Sequence, residues 1–191
     1  MNAPPSRRLA GFTLIELMVT VAIAAVLLVV AAPSFVNFQR NSELTSATNS
    51  FVAAVNAARG EAMKRGMNAM LVPATGADWS SGWTVFVDQD RSGTLNTGDF
   101  TVIQQPALAS YFSATGQGTA SETPAYIMFD ASGYAKTKTA GFGALTMTIA
   151  RNDLSGAALS EQTRRIVIAK SGRARACKPA TDTTCTASAD E

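Results

Sequence analysis

Residues 12–31 form an almost unbroken apolar run in which Glu16 is the one charged side chain. Wound as a helix, the run is about 30 Å long, matching the hydrocarbon core of a bilayer. Pro33 predicts a kink in this helix and not its end, because helical spacing of apolar residues resumes beyond it. Leu44, Phe51, Val55, Ala58 and Ala62 fall on one face, while Ser46, Asn49, Asn56 and Arg59 fall largely elsewhere. Residues 33–66 therefore read as an amphipathic continuation whose apolar stripe packs on a sheet. Lys64 and Arg65 suit the carbonyl end of that helix, and Gly66 offers a stop.

Past Gly66 the period shortens. Alternating or apolar segments at 68–72, 83–88, 100–104, 107–114, 126–130, 134–138, 143–149 and 165–169 are separated by Gly, Asn, Asp and Pro clusters. This predicts short strands in antiparallel sheets. A helix laid with its apolar face on such sheets gives an α+β head over 67–178. Residues 115–124 read as a mobile loop, and 179–191 as a small, polar tail that frays beyond Cys185.

The start of the apolar run carries the most specific chemistry. An ionised acid in hydrocarbon costs roughly 3 kcal/mol or more, so Glu16 needs a partner. Cutting between Gly11 and Phe12 would expose a positive amine at Phe12, and in a filament that amine would neutralise Glu16 of a neighbouring copy. A secretory signal would not carry an acid in its apolar stretch. Its only small-residue cleavage site, near Ala31 and Ala32, runs straight into Pro33. A plain anchor explains the length but neither Gly11 nor Glu16. Together Gly11, Phe12, Thr13, Leu14, Glu16 and Pro33 resemble the prepilin N-terminus of type IV pilins and type II secretion pseudopilins. The resemblance implies a leader, 1–11, removed by a prepilin peptidase, and N-methylation of Phe12. It also implies assembly with other pilins through helix 12–32, and a type IV pilin-like fold: a long kinked helix on a β-rich head.

Charge sets orientation more than partners. The formal net charge is +2, and removing Arg7 and Arg8 with the leader leaves acids and bases balanced. No global field advertises nucleic acid, so any such site must be local. Arg7 and Arg8 place the N-terminus in the cytoplasm and the head outside the inner membrane, then on the cell surface once assembled. Cys177 and Cys185 thus lie in an oxidising compartment, where a disulfide is expected; two thiols in a chain without histidine fall short of a zinc site. Closing so short a loop contributes about 2.5 kcal/mol in the chain-entropy model.

Two head segments carry candidate binding chemistry. The first, 82–99, resembles the hairpin of the GspH/FimT family, in which a Gly-Trp strand enters an Asp/Asn/Gly loop. The same residues imitate a calcium loop, with Asp88, Asp90, Ser92, Asn96 and Asp99 as oxygen donors and Gly93 at the sharp turn. Its flanks are β-like, however, and Asp99 stands where a bidentate Glu is usual. The plainer reading is an Asx-rich turn bonding its own backbone, with no metal.

The second segment, 163–178, holds six basic residues and no acid. Along an extended strand Arg173 and Arg175 would share a face about 7 Å apart, close to the spacing of successive phosphates. Gly172-Arg173-x-Arg175 resembles the Gly-Arg-x-Arg motif of FimT-type minor pilins, which implies binding of double-stranded DNA during uptake. Lys170 and Lys178 add charge on electrostatic grounds. The competing reading is a solvated strand edge that discourages unwanted pairing, as in FimU-type and GspH-type proteins that also end in a strand and Gly-Arg. Aromatic residues are missing nearby in sequence, so no sequence preference is expected.

Without histidine, and with scattered carboxylates, the chain lacks the usual means of nucleophilic catalysis. An enzyme is not expected, nor is a cofactor. The reading is a minor pilin of a type IV pilus that contacts DNA; the alternative is a type II secretion pseudopilin with a purely structural role.

Overall fold

The computed structural model describes residues 11–188. The expected leader, with Arg7 and Arg8, lies outside the described residues except for Gly11. One long helix, α1 (Leu14–Arg65), passes through two compact units that divide after Arg40.

In the first unit α1 begins two residues later than Phe12, because Thr13 caps it. Its apolar side chains stay uncovered: Leu14, Leu28 and Val29 are each more than two-thirds exposed. Leaving one such side chain in water costs about 1.5–3 kcal/mol, so this surface calls for lipid or neighbouring helices. Among the described residues no single helix is long and apolar enough to cross a membrane. The pair Leu14–Val29 and Ser34–Arg65, bent by 42° at the break that holds Pro33, meets the criterion by length and composition. The helix is bent there without ending, as the resumed spacing predicts.

The second unit is the α+β head. Strands β1 (Ala69–Thr75), β2 (Asp78–Val87), β3 (Phe100–Gln105), β5 (Ile127–Phe129) and β6 (Ala135–Lys136) form one sheet in the order β3-β2-β1-β5-β6. Strands β4 (Phe112–Gly116), β7 (Leu145–Arg151), β8 (Thr163–Ile168) and β9 (Ala174–Cys177) form the other, in the order β4-β7-β8-β9. Every pairing is antiparallel. A six-residue helix, α2 (Gly156–Glu161), links β7 to β8.

The predicted helical stripe forms the core: Leu44, Phe51, Val55, Ala58 and Ala62 are all fully buried, while Ser46, Asn49 and Asn56 are exposed. Phe51 meets Trp79 and Trp83 edge-on, with ring centroids 5.6 and 5.0 Å apart. The same core takes Leu71, Val85 and Phe129 from the first sheet and Met147, Ile149 and Ile166 from the second. Strand alternation sends Met70, Phe86 and Met128 to the opposite face of the first sheet, where Tyr126 joins them in a smaller cluster. That explains why the end of β2 is buried on both sides. At the C-terminal end of α1 the amides of Gly66 and Met67 both bond to the Ala62 carbonyl, closing the helix at the predicted stop.

Two expectations fail. Residues 115–124 are no mobile loop: β4 runs to Gly116, a 3-10 turn spans Gly118–Ser121, and Thr119 and Ala120 are buried. The buried Trp79 indole N–H donates to the Ala120 carbonyl at 2.8 Å, which anchors this stretch. The strand predicted over 107–114 starts only at Phe112. Before it, the Leu108 amide bonds to Ser80 and a turn closes from Ala109 to Phe112, so the chain is crossing between sheets.

Candidate functional site

At the start of α1, Thr13 and Glu16 satisfy each other. The Thr13 amide and hydroxyl donate to Glu16 Oε2 at 3.1 and 3.0 Å, and the Glu16 amide donates back to Thr13 Oγ1 at 3.3 Å. This is a capping box, a Thr-x-x-Glu signal present in the sequence but overshadowed there by the unpaired-acid reading. Gly11 is exposed, and a Cβ placed on it would meet nothing within 4 Å. Among the described residues, no contact requires a glycine there.

In the head, the basic segment folds into the hairpin β8–β9. Gly172 occupies the turn with φ +79°, and its amide bonds to the Ala169 carbonyl at 2.8 Å. A Cβ on Gly172 would stand 2.0 Å from the Gly133 carbonyl oxygen and 2.9 Å from Arg59 Nε. Arg59 Nε itself donates to that carbonyl at 2.9 Å. The turn is thus packed onto the β5–β6 connection, and the Ala135 amide donates to the Lys170 carbonyl at 3.0 Å to complete the seam.

The four cationic side chains predicted to contact DNA divide into two groups. Arg173 precedes β9 and is exposed, as is Lys170; neither side chain makes a hydrogen bond or ion pair among the described residues. Arg175, inside β9, is committed within the chain: its guanidinium donates to Asp182 Oδ2, Thr184 Oγ1 and the Thr184 carbonyl, each at 3.1 Å. Lys178 pairs with Glu161. The expected shared face is therefore a free cationic tip and a tethered stem.

Cys177 and Cys185 are disulfide-bonded. The loop they close is the partner for the stem, since Arg165 Nη1 donates to the Cys185 carbonyl at 2.6 Å and Arg175 holds Asp182 and Thr184. Asp182 is held below the ordinary carboxylate range, first by the Thr184 hydroxyl and amide and then by Arg175.

The Asp88–Asp99 loop brings three carboxylates together, with one oxygen of each within 4.8 Å of the others. Those oxygens are engaged by the loop's own amides. Asp88 accepts from Ser92 and Gly93, Asp90 from Ser92, and Asp99 from Gln89 and Asn96, all at 2.9–3.0 Å. Burial raises the Asp88 carboxyl, with Asp90 and Asp99 adding to it, whereas the Ser92 amide lowers Asp90. The network has the form of the Asx-rich turn.

Tyr134 and Phe142 are the residues that sequence proximity misses. They lie well before the basic turn in the chain, yet both line a cavity with Lys170 and Arg173. The packing of Gly172 on Gly133, the Ala135–Lys170 hydrogen bond and the bridge between Lys136 and Phe142 bring them there.

A family model described as type II transport protein GspH matches residues 47–172, and another described as the prokaryotic N-terminal methylation motif matches residues 6–32. Among solved structures, the head resembles the type IV minor pilin FimU of Pseudomonas aeruginosa. That match has 21% identity and a TM-score of 0.55, covering 80% of this chain and 98% of that one. The minor pseudopilin EpsH from the type 2 secretion system of Vibrio cholerae matches with 13% identity and a TM-score of 0.51, covering 72% and 98%. No curated protein sequence matches.

Proposed function

Because the chain belongs to the GspH family of type II transport proteins, we propose that it is a minor pilin that assembles through α1 and contacts double-stranded DNA with its head. Its N-terminus supports processing: the methylation-motif match covers Gly11 and Phe12, and among the described residues nothing packs on Gly11 that would otherwise explain it. Cleavage after Gly11 by a prepilin peptidase leaves a Phe12 amine. In the filament a neighbour's amine then meets Glu16, which in the single chain is satisfied by Thr13. The inner membrane holds the apolar start of α1 before assembly, and the other pilins hold it afterwards.

The observation that carries the DNA contact is the free cationic tip, Lys170 and Arg173 around the tight Gly172 turn. Arg173 offers a planar fork of donors suited to phosphate oxygens. Arg175 joins by exchanging Asp182 for phosphate, and Lys178 adds its charge in the same way, by leaving Glu161. So few contacts give weak binding that falls with salt. The test is a mobility shift of duplex DNA by the full-length protein in nonionic detergent. Wild type shifts the duplex and Arg173→Gln with Arg175→Gln does not; equal shifts by both would remove the DNA contact.

The intramolecular pairing of Arg175 and Lys178 favours a second reading, a secretion pseudopilin without nucleic-acid contact. A deletion strain separates the two: loss of transformation supports the first, and loss of protein export with transformation intact supports the second.

A further inference from the structure

The cavity beside the basic turn combines two features that a phosphate-only contact does not need. Tyr134 and Phe142 are 44% and 56% exposed, and their rings meet edge-on with centroids 5.9 Å apart. Lys136 Nζ lies 3.9 Å from the Phe142 centroid, which fixes a cation against one ring. With Ala169, Lys170, Ser171 and Arg173, the rings line an open cavity of about 490 Å³, within the roughly 300–1,000 Å³ of small-ligand clefts. The lining therefore holds aromatic surface, two cations, the hydroxyls of Tyr134 and Ser171, and no carboxylate. Exposed aromatic surface on a folded head is otherwise a liability for solubility.

A flat, π-faced group attached to an anion fits this lining. Within a duplex, neighbouring base pairs cover both faces of each base, so the rings have nothing to stack on. An unpaired base has a free face, and its flanking phosphates fall to the cations, as at single-strand sites that pair stacking platforms with basic grooves. We infer that the Tyr134–Phe142 cavity stacks an unpaired nucleobase of DNA, at a frayed end or in a single strand, while Lys170 and Arg173 hold its phosphates. This rests on the DNA contact proposed above and adds an occupant for the cavity next to it. Stacking tolerates any base, so the site reads strandedness and not sequence.

The experiment is a fluorescence-anisotropy titration of the full-length protein in nonionic detergent with three labelled probes of equal length. They are an oligothymidylate, a duplex, and an abasic strand with the same phosphates. The oligothymidylate is expected to bind at least about fivefold tighter than the abasic strand, the lower end of the effect of stacking one base. Tyr134→Ala and Phe142→Ala abolish that difference and leave duplex binding within about twofold. Phe142→Leu, which keeps the apolar bulk, guards against a folding defect and also loses the preference. Equal affinity for oligothymidylate and abasic strand, with duplex binding intact, would overturn the stacking site alone. Failure to bind any of the three at low salt would overturn the DNA contact beneath it as well.

Discussion

A Cβ on Gly172 would stand 2.0 Å from the carbonyl oxygen of Gly133. This contact joins the β8–β9 turn to the β5–β6 connection and sets Lys170 and Arg173 beside Tyr134. Gly172 also has φ +79°, which L side chains adopt only with strain. Gly172→Ala should therefore cost about 2–4 kcal/mol, combining the left-handed backbone with the steric overlap. Denaturant unfolding checks it, and a midpoint equal to wild type would mean that the turn is not packed as described.

Arg175 and Asp182 form an exchangeable pair at 3.1 Å, with both side chains about one-third exposed. Asp182→Asn should free the guanidinium and tighten duplex binding about two- to fivefold, the scale of an exposed ion pair. The folded state holds the Asp182 carboxyl low, so its stabilising contribution is complete above the ordinary carboxylate range. It is lost as pH falls through the depressed value. Asp182→Asn should flatten that part of the acid unfolding curve. Weaker DNA binding by the variant would show that Asp182 orders the site instead of competing for it.

Glu16 caps the helix by accepting two hydrogen bonds from Thr13. The proposed assembly gives it a second, separable role, as a charge that meets a neighbour's amine. Glu16→Gln retains an acceptor for the cap and loses the charge, whereas Glu16→Ala loses both. Both variants should be missing from sheared filaments, measured by immunoblot of the filament fraction. Normal incorporation of Glu16→Gln would assign the residue to helix capping alone.

Breaking the Cys177–Cys185 bridge releases the loop that holds Arg165 and Arg175. Replacing both cysteines by serine should cost about 2.5 kcal/mol by chain entropy. Thermal unfolding with and without reductant measures this: wild type falls toward the variant on reduction, and the variant does not respond. An unchanged wild-type midpoint would show the loop to be structurally idle.

Much of the fold could be read in the sequence because periodicity reports burial. Leu44, Phe51 and Val55 announce a core face through their spacing, and Trp83, Val85 and Val87 announce a strand. Burial that comes from tertiary contact left no such mark. Thr119 and Ala120 sit in a run of Gly, Ser and Thr that suggests a loop, and distant partners make them interior, the Trp79 indole on Ala120 and the Tyr126 amide on Thr119. The site shows the same division. Gly172, Arg173 and Arg175 stand out locally, while Asp182 as partner of Arg175 depends on a disulfide loop that folds back. Tyr134 and Phe142 reach the cavity through a glycine contact that no local pattern contains.

The most direct measurement is a titration of duplex DNA with the full-length protein in nonionic detergent over a series of salt concentrations. Two to three phosphate contacts predict that log K falls with log salt at a slope of about −2, and that Arg173→Gln reduces the slope by about one. Absence of duplex binding at low salt, or an unchanged slope in Arg173→Gln, would contradict a DNA-contacting head.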